Sequence, residues 1–203
     1  MKVFLALLLV ILLIGGLVLM TMMRHGLSAR QQPTRVEEAI ARGVRRFAMP
    51  SSARNLRNPV ALSDGALADA RAHWADHCAV CHANDGSGET TIGQGLYPKA
   101  PDMRQARTQD LSDGELFYVI RNGVRFTGMP GWGTDQAADD RDSWALVHFI
   151  RRLPRLTLQE IEEMSGLNPK SPHELAQERE AEEFLSGAAV PSPPASPGGH
   201  DNH

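Results

Sequence analysis

Two cysteines, three positions apart, stand directly before a histidine in "DHCAVCHANDG", residues 76 to 86, and the 203-residue chain has no others. On a helix the thiols of Cys78 and Cys81 share one face and His82 follows one residue on, so all three can meet a single planar object. Haem is such an object: two thiols add across its vinyl groups as thioethers, and the imidazole binds iron from the same side. C-x-x-C-H is the spacing of c-type haem attachment. Other chemistries also use paired cysteines. A plain disulfide leaves the histidine unexplained, a thioredoxin-like pair needs a strand and a βαβ setting that the flanking residues lack, and a zinc site needs further ligands at tight spacing where no third cysteine exists.

Iron held by His82 needs a ligand on its far side. Met129, in "FTGMPGW", lies in a loop between Gly128 and Pro130, where a thioether has no helix face to pack on. A loop methionine more often fills a gap in the core. Its position 47 residues after Cys81–His82, with one intervening helix to carry the chain around the haem, favours the ligand. His73, His77, His148 and His173 read as ordinary surface or half-buried residues. His200 and His203 end a flexible tail and would hold copper or zinc weakly at best.

These residues need elements to position them. Ser63 and Asp64 cap a helix that runs into the cysteines, and residues 83 to 110 form a long loop rich in Gly and Pro, of the kind that wraps something. A second helix, "LSDGELFYVIRNG", begins at Ser112 and Asp113, has its apolar face at Leu116, Phe117, Val119 and Ile120, and stops at Gly123. A third, "RDSWALVHFIRRLP", places Trp144, Val147 and His148 on one face and ends at Pro154. Thr157 with Glu160 and Ser171 with Glu174 have capping-box spacing and predict two tail helices. No segment is β-rich and no repeat is found.

In the uncharged run "VFLALLLVILLIGGLVLMTMM", residues 3 to 23 would span roughly 30 Å as a helix, the thickness of a bilayer's apolar core. A cleaved signal is the rival reading, but its apolar region is usually shorter and ends in small residues, whereas this run ends in Arg24 and His25. A retained anchor is favoured, and either reading sends the chain to the exported, periplasmic side. Residues 31 to 155 hold 16 basic against 15 acidic residues, and residues 156 to 203 hold two against nine. That distribution lacks the basic excess of a nucleic-acid binder. Arg42, Arg45, Arg46, Arg54 and Arg57 make the segment after the anchor basic; it reads as a solvated tether, with placement against anionic headgroups as the alternative. The acidic tail reads as a solvated appendage or as a docking element for a basic partner.

Residues 63 to 155 resemble a class I, monohaem cytochrome c in "CAVCH", "LSDGELFYVIRNGVRFTGMPGW" and "SWALVHFIRRL" taken together. The resemblance implies an all-α fold of three main helices and long loops around one covalent haem c, here with an N-terminal transmembrane helix and an acidic helical C-terminal extension. It implies thioethers at Cys78 and Cys81, a proximal ligand at His82 and a distal one at Met129. It places Trp74, Trp144 and Phe149 at the family's aromatic positions, and Ala70 where the first and last helices cross. It also implies that a proline carbonyl of "GLYPKAPDM", from Pro98 or Pro101, orients the proximal imidazole. The expected organisation is an anchor at 1–25, a basic linker at 26–62, the cytochrome domain at 63–155, an acidic helical extension at 156–187 and a Pro/Gly/His tail at 188–203.

With both axial positions filled, iron has no open place for substrate, and the expected function is one-electron transfer rather than enzymatic catalysis. Leu116, Phe117, Ile120, Trp132 and Phe149 would bury the porphyrin. Partners are expected among membrane-associated redox proteins: a quinol-oxidising complex or dehydrogenase as donor, a terminal oxidase or reductase as acceptor. The alternatives are a haem subunit of a larger oxidase or dehydrogenase complex, and a haem sensor or peroxidase in which Met129 is displaced.

Overall fold

The computed structural model describes residues 2–25, 28–134 and 137–186; the tail read at 188–203, with His200 and His203, lies outside them. Every regular element among the described residues is helical. In chain order these are α1 (Lys2–His25), α2 (Arg35–Ala48), α3 (Ser51–Arg54) and α4 (Asp64–His73), which continues through a π turn (Trp74–Cys78) into α5 (Ala79–His82). Short helices α6 (Thr91–Gly95) and α7 (Ala106–Gln109) sit in the following loop. Then come α8 (Asp113–Asn122), α9 (Ala137–Arg152) with a 3₁₀ turn (Leu153–Arg155), α10 (Leu158–Ser165) and α11 (Pro172–Leu185). The chain divides into two units, residues 1–168 and 169–203.

The start signals act as local chemistry requires. Ser63 accepts from the Ala66 N–H, and full capping boxes form at Ser112/Glu115 and Thr157/Glu160. Gly123 ends α8 at a φ of +66°, where a Cβ would lie 2.5 Å from the Gly131 nitrogen. That position requires glycine both for conformation and for space.

The core forms where α4 crosses α9 and α8 packs beside them. Ala70, fully buried, supplies the small residue at the crossing. Phe117 stacks on Trp144 with ring centres 4.0 Å apart, and Trp74 meets Phe149 at 5.5 Å, in the tilted geometry aromatic pairs favour. The Arg151 guanidinium ties α9 to the start of α8: it donates to Asp113 at 2.9 Å, to the Gln109 carbonyl at 2.6 Å and to the Leu111 carbonyl.

Two segments pack more closely than their composition suggests. Residues 49 to 60 are not a solvated tether: Met49 and Ala53 are buried, and the Ser112 hydroxyl donates to the Arg54 carbonyl at 2.8 Å. Gly114 lets this segment in, since a Cβ there would stand 2.0 Å from the Ala53 carbonyl oxygen. Further along, Asn58 Nδ2 donates to the Trp144 carbonyl, and the Val60 carbonyl accepts from His148 Nε2, both at 2.8 Å. At the other end Met164 of α10 is fully buried in the main core, and Glu163 pairs with Arg71 of α4 at 3.2 Å. With its amide oriented as its surroundings require, Asn168 donates to the Ala75 carbonyl at 3.1 Å and bonds with Asn84.

The loop after α5 has a defined task, because the last carbonyls of a helix need donors from outside it. Thr90 Oγ1 lies 2.8 Å from the Val80 carbonyl and 3.3 Å from that of Cys81, the Gly88 N–H donates to His82, and the Trp74 indole N–H donates to Ala83 at 3.0 Å. Ala83 adopts a φ of +60°, which turns the chain sharply away from the helix. Arg104 pins the far end of the loop, donating to Asp85 at 2.7 Å and to Asp102 at 2.8 Å; this second bond, more than any other cause, holds the Asp102 carboxyl down to about 2.

The second unit, described to residue 186, is α11 with its own cap. Ser171 and Glu174 form a capping box, Pro172 occupies the first turn, and Lys170 pairs with Glu178 at 2.6 Å.

Two predictions follow from this packing. Met164→Ala should cost about 2 to 5 kcal/mol in denaturant unfolding, as for other large core truncations; a loss within about 0.5 kcal/mol would remove α10 from the core. At Gly93 a Cβ would lie 2.1 Å from the Cys81 carbonyl oxygen, so Gly93→Ala should destabilise by about 1 to 3 kcal/mol. Gly95→Ala, with nothing within 4 Å, is the matched control and should change stability by no more than about 0.5 kcal/mol.

Candidate haem site

The helix carrying Cys78, Cys81 and His82 is not regular. Between Trp74 and Cys78 it widens into a π turn, in which the Ala79 N–H donates to the Trp74 carbonyl five residues back. Such a turn inserts one residue into the helical register and recurs at functional sites. It offsets Trp74, whose ring is packed in the core, from the turn that bears the cysteines. Nothing in the residue types of "WADHC" announces it.

Both cysteines are free and partly buried. Burial, with a smaller contribution from Cys81, pushes the Cys78 thiol up to about 12. A thiol held protonated is a poor redox nucleophile, since that task needs the thiolate. The same surroundings suit a thioether, which carries no charge. Among the described residues no three His, Cys, Asp or Glu side chains group to hold a metal ion, so a zinc site of protein ligands alone has no candidates.

His82 closes α5 with its ring 5.8 Å from that of Trp74. Burial is the main cause lowering its pKa, which keeps the imidazole neutral and its lone pair available to a metal. The Pro101 carbonyl opposes that shift, so of the two prolines in "GLYPKAPDM" it is Pro101 that faces the ring. The contact falls short of a full hydrogen bond, and Nδ1 is a buried polar atom without a partner. A ring whose other nitrogen bound iron would have reason to tighten that contact, because metal-bound histidines give their second N–H to a carbonyl or carboxylate.

Met129 comes from the loop between α8 and α9 and is half-buried. Its N–H donates to Thr127 Oγ1 at 3.1 Å, and its carbonyl accepts from the Val124 N–H at 3.1 Å. Two contacts bring this loop to the cysteine helix and its wrapping loop. Trp132 meets His77 edge-on at 5.5 Å, and Gly128 lies so near Leu96 that a Cβ would fall 2.6 Å from its side chain. His77, which the sequence ranks as an ordinary surface histidine, is thus the point where the Met129 loop touches the cysteine helix. Its position one residue before Cys78 was the available signal.

The donor set therefore suits haem: two thiols on one helical face, a neutral imidazole beside them, and a thioether on a loop held against the same helix. Leu116, Phe117, Ile120 and Phe149 are buried in the core against which Cys78 and the half-buried Trp132 pack. No curated protein matches the chain. Residues 65–150 match the family model described as cytochrome C oxidase, cbb3-type, subunit III. With the helical fold and the CxxCH turn, that match makes this part of the chain a class I monohaem cytochrome c domain, which carries one covalently attached haem c and serves in electron transfer.

Proposed function

We propose that the protein is a membrane-anchored one-electron carrier whose haem domain lies on the exported side. In this reading Cys78 and Cys81 form the thioethers, His82 is the proximal ligand and Met129 the distal one. The observation that carries it is the pairing of a half-buried, neutral His82 with a Met129 loop tied to the same helix through Trp132 and His77. When bound, haem iron supplies a one-electron change between ferric and ferrous states. The chain's residues decide where that change falls. The Met129 thioether, a soft ligand, favours the ferrous form and raises the potential. The apolar wall of Leu116, Phe117, Ile120 and Phe149 disfavours the extra positive charge of the ferric form in the same direction. The Pro101 carbonyl, once its contact with the His82 ring tightened to a hydrogen bond, would orient that ring and add to its basicity.

Anchoring is assigned to α1. Its residues from Lys2 to Thr21 are long and apolar enough to cross a bilayer, and none of that stretch is buried within the protein. Flanking charge points the other way, with Lys2 before the span and Arg24, Arg30 and Arg35 after it, where such residues usually stay inside. The folded domain outweighs them, because long domains cross largely regardless of charge. A tether makes encounter with membrane-bound donors and acceptors effectively intramolecular, at up to mM effective concentration for short linkers.

A second reading has its own support. The matching family is described as an oxidase subunit, so this domain could serve as a resident electron-entry subunit rather than a free shuttle. Extraction in mild detergent separates the two: stoichiometric co-purification of an oxidase core supports the subunit, and isolation of the cytochrome alone supports the shuttle.

The ligand assignment is tested by Met129→Ala. The variant should keep covalent haem, lose the weak red absorption band of methionine-bound ferric haem, and bind CO rapidly. Its potential should fall by on the order of 0.1 V, within the roughly 0.8 V that axial ligands span. An unchanged spectrum and potential would mean that another residue is the distal ligand.

A further inference from the structure

Helix α2 turns its apolar side away from the protein. Val36, Ile40, Val44 and Phe47 recur at spacings of four, four and three, which makes one stripe along the helix. They are 61 to 91% exposed, and a Cβ at Gly43 beside them would meet nothing within 4 Å. Helical spacing puts Arg35, Arg42, Arg45 and Arg46 on the opposite side and its flanks.

The polar residues, by contrast, have partners in the cytochrome domain. Tyr97 donates to Glu37 at 3.2 Å, and Glu38 accepts from Arg107 at 3.2 Å as well as from Arg42. At the C-terminal end Arg54 donates to the Arg46 carbonyl at 2.5 Å and to that of Met49 at 3.1 Å, and Met49 is buried. A soluble protein docks an amphipathic helix by its apolar face; here the order is reversed. The helix is also well made on its own, with a capping box at Thr34 and Glu37.

We propose that α2 lies in the interface of the bilayer that holds α1, its apolar stripe among the acyl chains and Arg35, Arg45 and Arg46 toward anionic headgroups, with Arg42 turned to the domain side. Three observations select lipid as the occupant. Only residues 26 to 34 separate α1 from α2, a reach of about 30 Å when fully extended, so the helix stays near the membrane surface. Four arginines against Glu37 and Glu38 leave it basic, complementary to an anionic surface. A basic amphipathic helix with aliphatic and aromatic residues on one face has the form of an interfacial anchor. Through Glu37, Glu38 and the Arg54 contacts, α2 would hold the cytochrome domain at a fixed attitude to the membrane instead of on a free tether.

The inference rests on α1 as the anchor, and the test separates the two. Single cysteines are placed at Ile40, Val44, Arg42 and Val10 in the full haem-loaded chain, whose own cysteines are consumed as thioethers. The protein is reconstituted in phosphatidylcholine and phosphatidylglycerol vesicles and treated with a membrane-impermeant maleimide. Ile40→Cys and Val44→Cys should react at least about tenfold more slowly than Arg42→Cys, at every protein-to-lipid ratio. Equal rates would place the stripe in water and overturn the proposal. Protection that disappears on dilution with lipid would also overturn it, by assigning the stripe to a second copy of the chain. In vesicles of phosphatidylcholine alone the protection should weaken, and no change there would overturn the role given to the arginines. The Val10→Cys variant reports the anchor: its free reaction would refute α1 as a span, whereas its protection alongside reactive Ile40→Cys would refute only the interfacial helix.

Discussion

One turn of helix has to present two thiols and an imidazole to the same flat group, and a helix end does not stay formed without outside help. The final carbonyls, from Val80 to Ala83, point where α5 stops and have no donors of their own. Thr90, the Gly88 N–H and the Trp74 indole supply them, and each donor brings a constraint. Thr90 needs the chain to return beside Cys81, which leaves no room for a side chain at Gly93. Trp74 needs its ring in the core against Phe149 while its N–H reaches outward, and the π turn provides the offset. The long Gly- and Pro-rich loop, which composition alone marks as irregular, is the device that terminates this helix.

Local signals in the sequence were well legible. Ser63, Ser112 with Glu115, Thr157 with Glu160 and Ser171 with Glu174 all cap the helices they predict, because a cap involves only residues three apart. The CxxCH turn was legible for the same reason, since spacing along one helix decides which face its residues share, whereas Trp74, Trp144 and Phe149 were placed by the family resemblance. Tertiary relations were not. Met164 is one of three apolar residues, with Leu158 and Ile161, in an acidic helix, and only its packing into the main core singles it out. Residues 49 to 60 look like linker, and only Gly114, more than fifty residues away in sequence, makes room for them. Among the prolines, Pro98 and Pro101 are equivalent by sequence, and the approach of the loop to the His82 ring separates them.

Electrostatics act on the domain in two different ways. At the site, burial dominates: it keeps the Cys78 thiol protonated and the His82 ring neutral, the forms that a thioether and a metal–nitrogen bond start from. On the outside, residues 63 to 155 carry 10 basic against 13 acidic residues, and six further arginines lie between 31 and 62. Some of the domain's charged groups are used at short range, as in the Arg104 clip on the wrapping loop and the Arg151 clamp between α8 and α9.

Charge also bears on why a carrier of this kind would be anchored. A freely diffusing electron carrier gains encounter rate from a charged face matched to its partners, and the gain falls as salt rises. Tethering would add proximity, which salt does not screen, and would confine the search to partners in the same membrane. Proximity alone leaves orientation free, so most encounters on a flexible tether would present the wrong face. A helix that gripped the domain by its polar side and the bilayer by its apolar side would remove part of that freedom, and so α1 and α2, acting as proposed, would do complementary work: one limiting distance, the other attitude.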